Sequence, residues 1–108
     1  MTDRELLEFA AKAAALHTRW IGASLCHFVV DDGLDEGWWG PLTDDGDALR
    51  LAVKLRMNIV ITTMGVSARC ETAPSKWADE YCAAGSDYEA ATRRAVVRAA
   101  AEIGRAMP

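Results

Sequence analysis

The segment from Trp38 to Leu55, WWGPLTDDGDALRLAVKL, constrains the fold more than any other part of the chain. Gly40-Pro41 ends whatever extended backbone carries the two tryptophans, because proline lacks the N–H that a central strand must donate. Thr43 or Asp44 then offers a side-chain oxygen to cap a helix, and Asp44, Asp45 and Asp47 set negative charge at the positive end of its dipole. Ala48, Leu49, Leu51, Ala52, Val53 and Leu55 cover more than half the circumference of that helix, while Asp47, Arg50 and Lys54 keep one strip polar. The expectation is a very short strand, a turn and a deeply buried helix. On this reading Leu49→Ala costs roughly 2 to 4 kcal/mol and Val53→Ala roughly 1 to 3 kcal/mol. One of the two indoles packs in the core and the other lies at its rim.

The flanking elements follow from periodicity and punctuation. Thr2 and Glu5 have capping-box spacing, and Leu6, Leu7, Phe9, Ala10, Ala13, Ala14 and Leu16 repeat at helical intervals, predicting a first helix over about Asp3 to His17. His17 then falls in the last turn, where a cation suits the helix dipole. Leu25 to Val30, LCHFVV, is a short apolar run that suits a buried strand, followed by an acidic turn from Asp31 to Gly37. Met57 to Met64 is rich in β-branched residues, Gly65 interrupts it, and Val66 to Glu71 resumes alternation, so the two runs read as a hairpin. Ala73-Pro74-Ser75 is a turn. Lys76 to Gly85 fits either a capped helical turn or a strand carrying Trp77 and Tyr81, and the residues do not decide between them.

Ser86 or Asp87 caps a final helix over about Tyr88 to Met107, with an apolar stripe of Val96, Ala99, Ala100, Ile103 and Met107. Arg94, Arg98 and Arg105 fall within about 40° of one another on its helical wheel, nearly opposite that stripe. The sum is an α+β fold over residues 1–108: a small, mostly antiparallel sheet packed by about three helices, in the order α-β-β-α-β-β-α. Antiparallel pairing is favoured because the strands follow one another through tight turns, whereas parallel neighbours need long crossovers.

Composition narrows the function classes. At 108 residues, 51% hydrophobic and 26% charged, the chain has the make-up of one ordinary globular domain. No apolar run approaches the ~20 residues that span a bilayer, and Met1 to Glu5 reads as a helix cap instead of a secretory leader. Cytoplasmic residence is expected, and with it free thiols at Cys26, Cys70 and Cys82. A net charge of -4 gives no general attraction to phosphates.

No catalytic, cofactor or metal signature emerges. Cys26, His27, Cys70 and Cys82 include zinc-type donors, but no CxxC or HxxxH pair is present, and adjacent strand residues point to opposite faces. The four carboxylates between Asp31 and Glu36 lack the alternating order of a calcium loop. His17 and His27 have no nucleophile near them in sequence. Two interaction readings remain. Trp38, Trp39 and Trp77, or the edge of the hairpin, suit a protein contact, since aromatic residues anchor interfaces and an open strand edge can pair with another chain. Arg94, Arg98 and Arg105, with Arg93 adjacent, suit successive phosphates of a nucleic acid.

Two stretches carry a resemblance. PLTDDGDALRLAVKL, after Trp39, and AATRRAVVRAAAEIGRAM resemble a family of small phage and prophage proteins of proteobacteria, in which a Trp-x-Pro-Leu-x-Asp-x-Gly-x-Ala-Leu helix start and an Ala-Thr-Arg-Arg-Ala helix recur. More distantly the chain is similar to phage proteins described as αβα sandwiches. Together the stretches span about a third of the chain. The resemblance implies a phage or prophage accessory protein in a bacterial host cytoplasm, and it brings no catalytic residue with it. A non-enzymatic protein-binding module, with a host or phage protein or a second copy as partner, is the expected function; a nucleic-acid-binding accessory is the alternative.

Overall fold

The computed structural model describes residues 1–22, 26–31, 34–71, 77–83 and 86–108, with the backbone alone for 26–31 and 34–36. Its elements are α1 (Asp3–Ala13), β1 (Thr18–Ile21), β2 (Cys26–Asp31), β3 (Leu34–Trp39), α2 (Asp45–Lys54), β4 (Met57–Thr62), β5 (Gly65–Cys70), β6 (Ala78–Tyr81) and α3 (Tyr88–Ala106). The α+β class, the antiparallel pairing and the three helices agree with the sequence. Two strands, β1 and β6, are additional, and the strands form two three-stranded meanders, β1-β2-β3 and β4-β5-β6. The turn expected at Ala73-Pro74-Ser75, together with Asp32 and Gly33 of the acidic turn, lies outside the described residues.

The second meander and the helices make the body of the molecule. α3 lies across β5 and β6 and more lightly across β4, with α1 along one flank and α2 along the other. Its buried residues, Ala95, Val96, Val97, Ala99, Ala100, Ala101 and Gly104, run well beyond a single stripe. That breadth is a correction: of the stripe expected from the sequence Ile103 is only partly covered and Met107 is exposed, while Ala95, Val97 and Ala101, outside that stripe, are buried. A helix flanked by two others over a sheet has little circumference left for solvent. Small residues let the backbones close up, and a Cβ at Gly104 would overlap the carbonyl oxygen of Phe9 in α1.

Each helix begins with the expected cap. In α1 the Thr2 Oγ1 accepts the Glu5 N–H at 3.2 Å, and Glu5 Oε1 accepts the Thr2 N–H at 3.1 Å. In α2 and α3, Asp44 and Asp87 accept the N–H groups of Asp47 (2.8 Å) and Ala90 (2.9 Å). The first helix is shorter than its periodicity implies. Ala15 adopts φ 57°, its N–H reaches Lys12 O and the Leu16 N–H reaches Ala11 O, a Schellman ending without glycine. His17 therefore lies past the helix and outside its last turn. Leu16, at the second position beyond the cap, still packs against the core, which is why apolar spacing ran on past the true end.

β4 and β5 form the expected hairpin, closing on Thr62↔Gly65 around Thr63 and Met64. β3 extends from Leu34 and is thus longer than the Trp pair alone. It carries an irregularity against Val29/Val30 where Gly37 sits at φ 98°, a conformation that suits glycine.

Candidate interaction surface

The loop before α2 is held by its own acids. Asp47 Oδ2 accepts the Gly40 N–H at 2.9 Å and Oδ1 accepts Arg50 Nη2 at 2.6 Å, while Pro41 is fully buried. The contact with Asp47 also raises the Arg50 pKa above its ordinary value. From α3, Arg93 donates through Nε to Leu42 O at 3.0 Å and pairs with Asp45. The PLTDD and ATRRA stretches are therefore joined in space, with Arg93, only 17% exposed in its side chain, as the staple between them. Tyr88 donates its hydroxyl to Thr63 O at 2.8 Å and ties the start of α3 to the hairpin turn.

This frame leaves an open, apolar groove of about 350 Å³ between α2, β4 and the first turns of α3. Ala48, Leu49 and Ala52 form one wall, Tyr88, Thr92 and Val96 the other, and Ile59 and Ile61 the floor. Helix α2 is consequently not deeply buried, contrary to the sequence expectation. Leu51, Ala48 and Ala52 face the core, but Leu49 and Val53 are 64% and 68% exposed. Among the described residues α2 packs chiefly on α3, and the groove separates its outer side from Ile59 and Ile61 of β4. Ile61 is exposed on the side of β4 that faces Leu49, and Val53 on α2 and Met64 in the hairpin turn are exposed as well, whereas Val60 faces the opposite side of the sheet. A grouped apolar surface of this kind marks a contact site more often than scattered exposure does.

The residues singled out from the sequence are not brought together. Trp39 is 6% exposed and belongs to the core, while Trp38 is 56% exposed; the pair divides as expected, but Trp39 has little surface to offer a partner. Trp77 precedes β6, on the other sheet, and is covered on one face by the Arg69 guanidinium, 4.8 Å from the ring centroid. Arg94 pairs with Asp3 (3.1 Å) and Glu80 (3.4 Å), Arg98 with Glu80 (2.9 Å) and the Asp79 carbonyl (2.7 Å), and Arg105 lies 3.9 Å from Glu102. Arg94 and Arg98 thus tie α3 to α1 and β6, while Arg105 stays beside Glu102 of its own helix, so carboxylates are set among the guanidiniums.

Among the described residues no group of three His, Cys, Asp or Glu side chains is placed to hold a metal ion. The Cys26 and His27 side chains lie outside the described residues, and Cys70 and Cys82 are buried thiols. No described helix is long and apolar enough to cross a membrane. The hairpin edge was offered by the sequence as a contact surface, whereas the groove that α2 and α3 form over β4 was not.

No family model, curated protein or solved structure matches this chain.

Proposed function

We propose that the chain is a non-enzymatic protein-binding module, a phage or prophage accessory protein acting in the cytoplasm of a bacterial host, and that its contact surface is the groove between α2 and β4. The observation that carries the reading is the exposure of Leu49 and Ile61 on this apolar groove, with Ile59 half-covered on its floor. The groove has apolar walls and floor, with Asp45, Glu89 and Arg93 at its lip. Such a lining suits burial of another apolar surface and supplies no paired acid and base for proton transfer. The phage origin is supported by the resemblance of the stretches that Arg93 joins. The arginine row on α3 does not favour a nucleic-acid partner, because each guanidinium already has a carboxylate within 4 Å.

The test is recovery of partners on a tagged chain from bacteria that also express the untagged chain, comparing wild type with Ile61→Lys. The reading expects proteins retained by wild type, whether host proteins or the untagged copy, to be lost from the folded variant. Equal recovery on both baits contradicts it.

A further inference from the structure

We infer that the partner on this surface is a second copy of the chain, joined through antiparallel pairing of β4 with its own equivalent across a two-fold axis; the inference rests on the α2–β4 surface being the contact site. Among the described residues β4 is an edge strand, paired with β5 alone. The hairpin closes on Thr62↔Gly65, and the Glu71 N–H reaches Arg56 O, so positions 56, 58, 60 and 62 direct their backbone groups to β5. Met57, Ile59 and Ile61 direct theirs outward. Strand alternation also puts these three side chains on the helix-facing side, where Met57 and Ile59 are half-covered and Ile61 is open.

Leu49 of α2 and Ile61 of β4 line the groove on the helix side of this edge, and the outward backbone groups of Met57, Ile59 and Ile61 are placed to meet another strand. The edge fits an extended strand with apolar side chains at alternate positions on the helix side. β4 is such a strand. A dyad at Ile59 pairs Ile59 with its equivalent and Met57 with Ile61 of the other copy, which joins every outward backbone group in about six hydrogen bonds. Met57 to Thr62 carries no charge and no proline, and its pairing with β5 is continuous. The other edges are guarded. β6 is four residues long and bears Asp79 and Glu80 beside Arg94 and Arg98; β1 is equally short; β3 carries Asp35, Glu36 and an irregular register. Natural sheets blunt exposed edges with such devices, and an edge without them is a template for pairing with another chain.

Sedimentation equilibrium of the full chain over a concentration series, from about 5 μM to 500 μM, tests the pairing. The expected result is a mass near twice 11.7 kDa, falling to the single-chain mass in Ile61→Lys and in Ile61→Pro. The proline removes only an outward N–H and leaves the β4–β5 ladder donors in place. Both variants are checked for native circular dichroism; should Ile61→Pro not fold, Leu49→Glu, on the α2 wall of the groove, replaces it. A wild-type chain that stays at 11.7 kDa throughout overturns the pairing while leaving the contact surface to the recovery experiment. A dimer that survives both folded variants overturns it as well, since its interface then lies elsewhere.

Discussion

Two backbone positions decide how tightly the body of the molecule closes. Gly104 allows α3 to meet the Phe9 carbonyl of α1 without a side chain between them. Gly104→Ala must separate two helices that share most of the core, so a loss of about 3 kcal/mol is expected, at the upper end of overpacking costs. Chemical denaturation reads this directly, and an unchanged midpoint contradicts the close approach. Ala15 presents the opposite case, an L-residue held at φ 57°. That conformation costs roughly 1 to 2 kcal/mol, against about 0.5 to 1 kcal/mol of extra backbone entropy for glycine, so Ala15→Gly should stabilise by about 0.5 to 1 kcal/mol and raise the Tm by a few degrees. Neither position announced itself in the sequence. Gly104 sits inside a strong helix former, and Ala15 ends a helix with none of the residues that normally mark an ending.

At the scale of elements, α2 separates the pattern of a sequence from its surroundings. Six apolar residues over its length read as a helix covered nearly all round, yet only Ala48, Leu51 and Ala52 are buried. Among the described residues the helix packs chiefly on α3, and Leu49 and Val53 on its apolar arc stay exposed. Leu51→Ala should therefore cost about 3 kcal/mol, whereas Leu49→Ala and Val53→Ala should each cost less than about 1 kcal/mol in the isolated chain. Thermal melts of the three variants at low concentration make the comparison, and a large loss at Leu49 would place it in the core after all. Caps were readable because they depend on neighbours in sequence: Thr2 with Glu5, Asp44 with Asp47, Asp87 with Ala90.

Those caps also set a pH dependence. The Thr2 N–H holds the Glu5 carboxyl below its ordinary 4.5, and the Ala90 N–H holds that of Asp87 below its ordinary 3.8. A depressed carboxyl contributes stability that is fully present above its unfolded pKa and is lost as pH falls through the folded one. The Tm should accordingly decline between about pH 5 and pH 3, and more gently in Glu5→Gln/Asp87→Asn, which keeps hydrogen-bonding side chains that do not titrate. Identical declines in the two proteins would remove these caps from the acid response.

For the whole molecule, fold class, pairing direction and helix number followed from periodicity and turn chemistry. The division of six strands into two meanders did not, because which strands pair is set by contacts far apart in sequence. The hairpin edge was legible as a contact surface, because a β-branched run broken by Gly65 already implies two strands with open sides; the groove over it was not, because it depends on how α2 sits on α3. The row of arginines shows the same limit: on a helical wheel it is a bare cationic face, but β6 brings Glu80 and α1 brings Asp3 against it. Among the described residues the fold leaves the β4 edge without charge or proline, beside an apolar groove.

The most direct measurement is isotope-filtered NMR on a mixture of labelled and unlabelled chain. Pairing across the dyad predicts intermolecular contacts from Ile59 to its equivalent and from Met57 to Ile61, together with slow amide exchange at these three positions. Intermolecular contacts confined to other residues, or their absence with fast exchange along the outer side of β4, would contradict it.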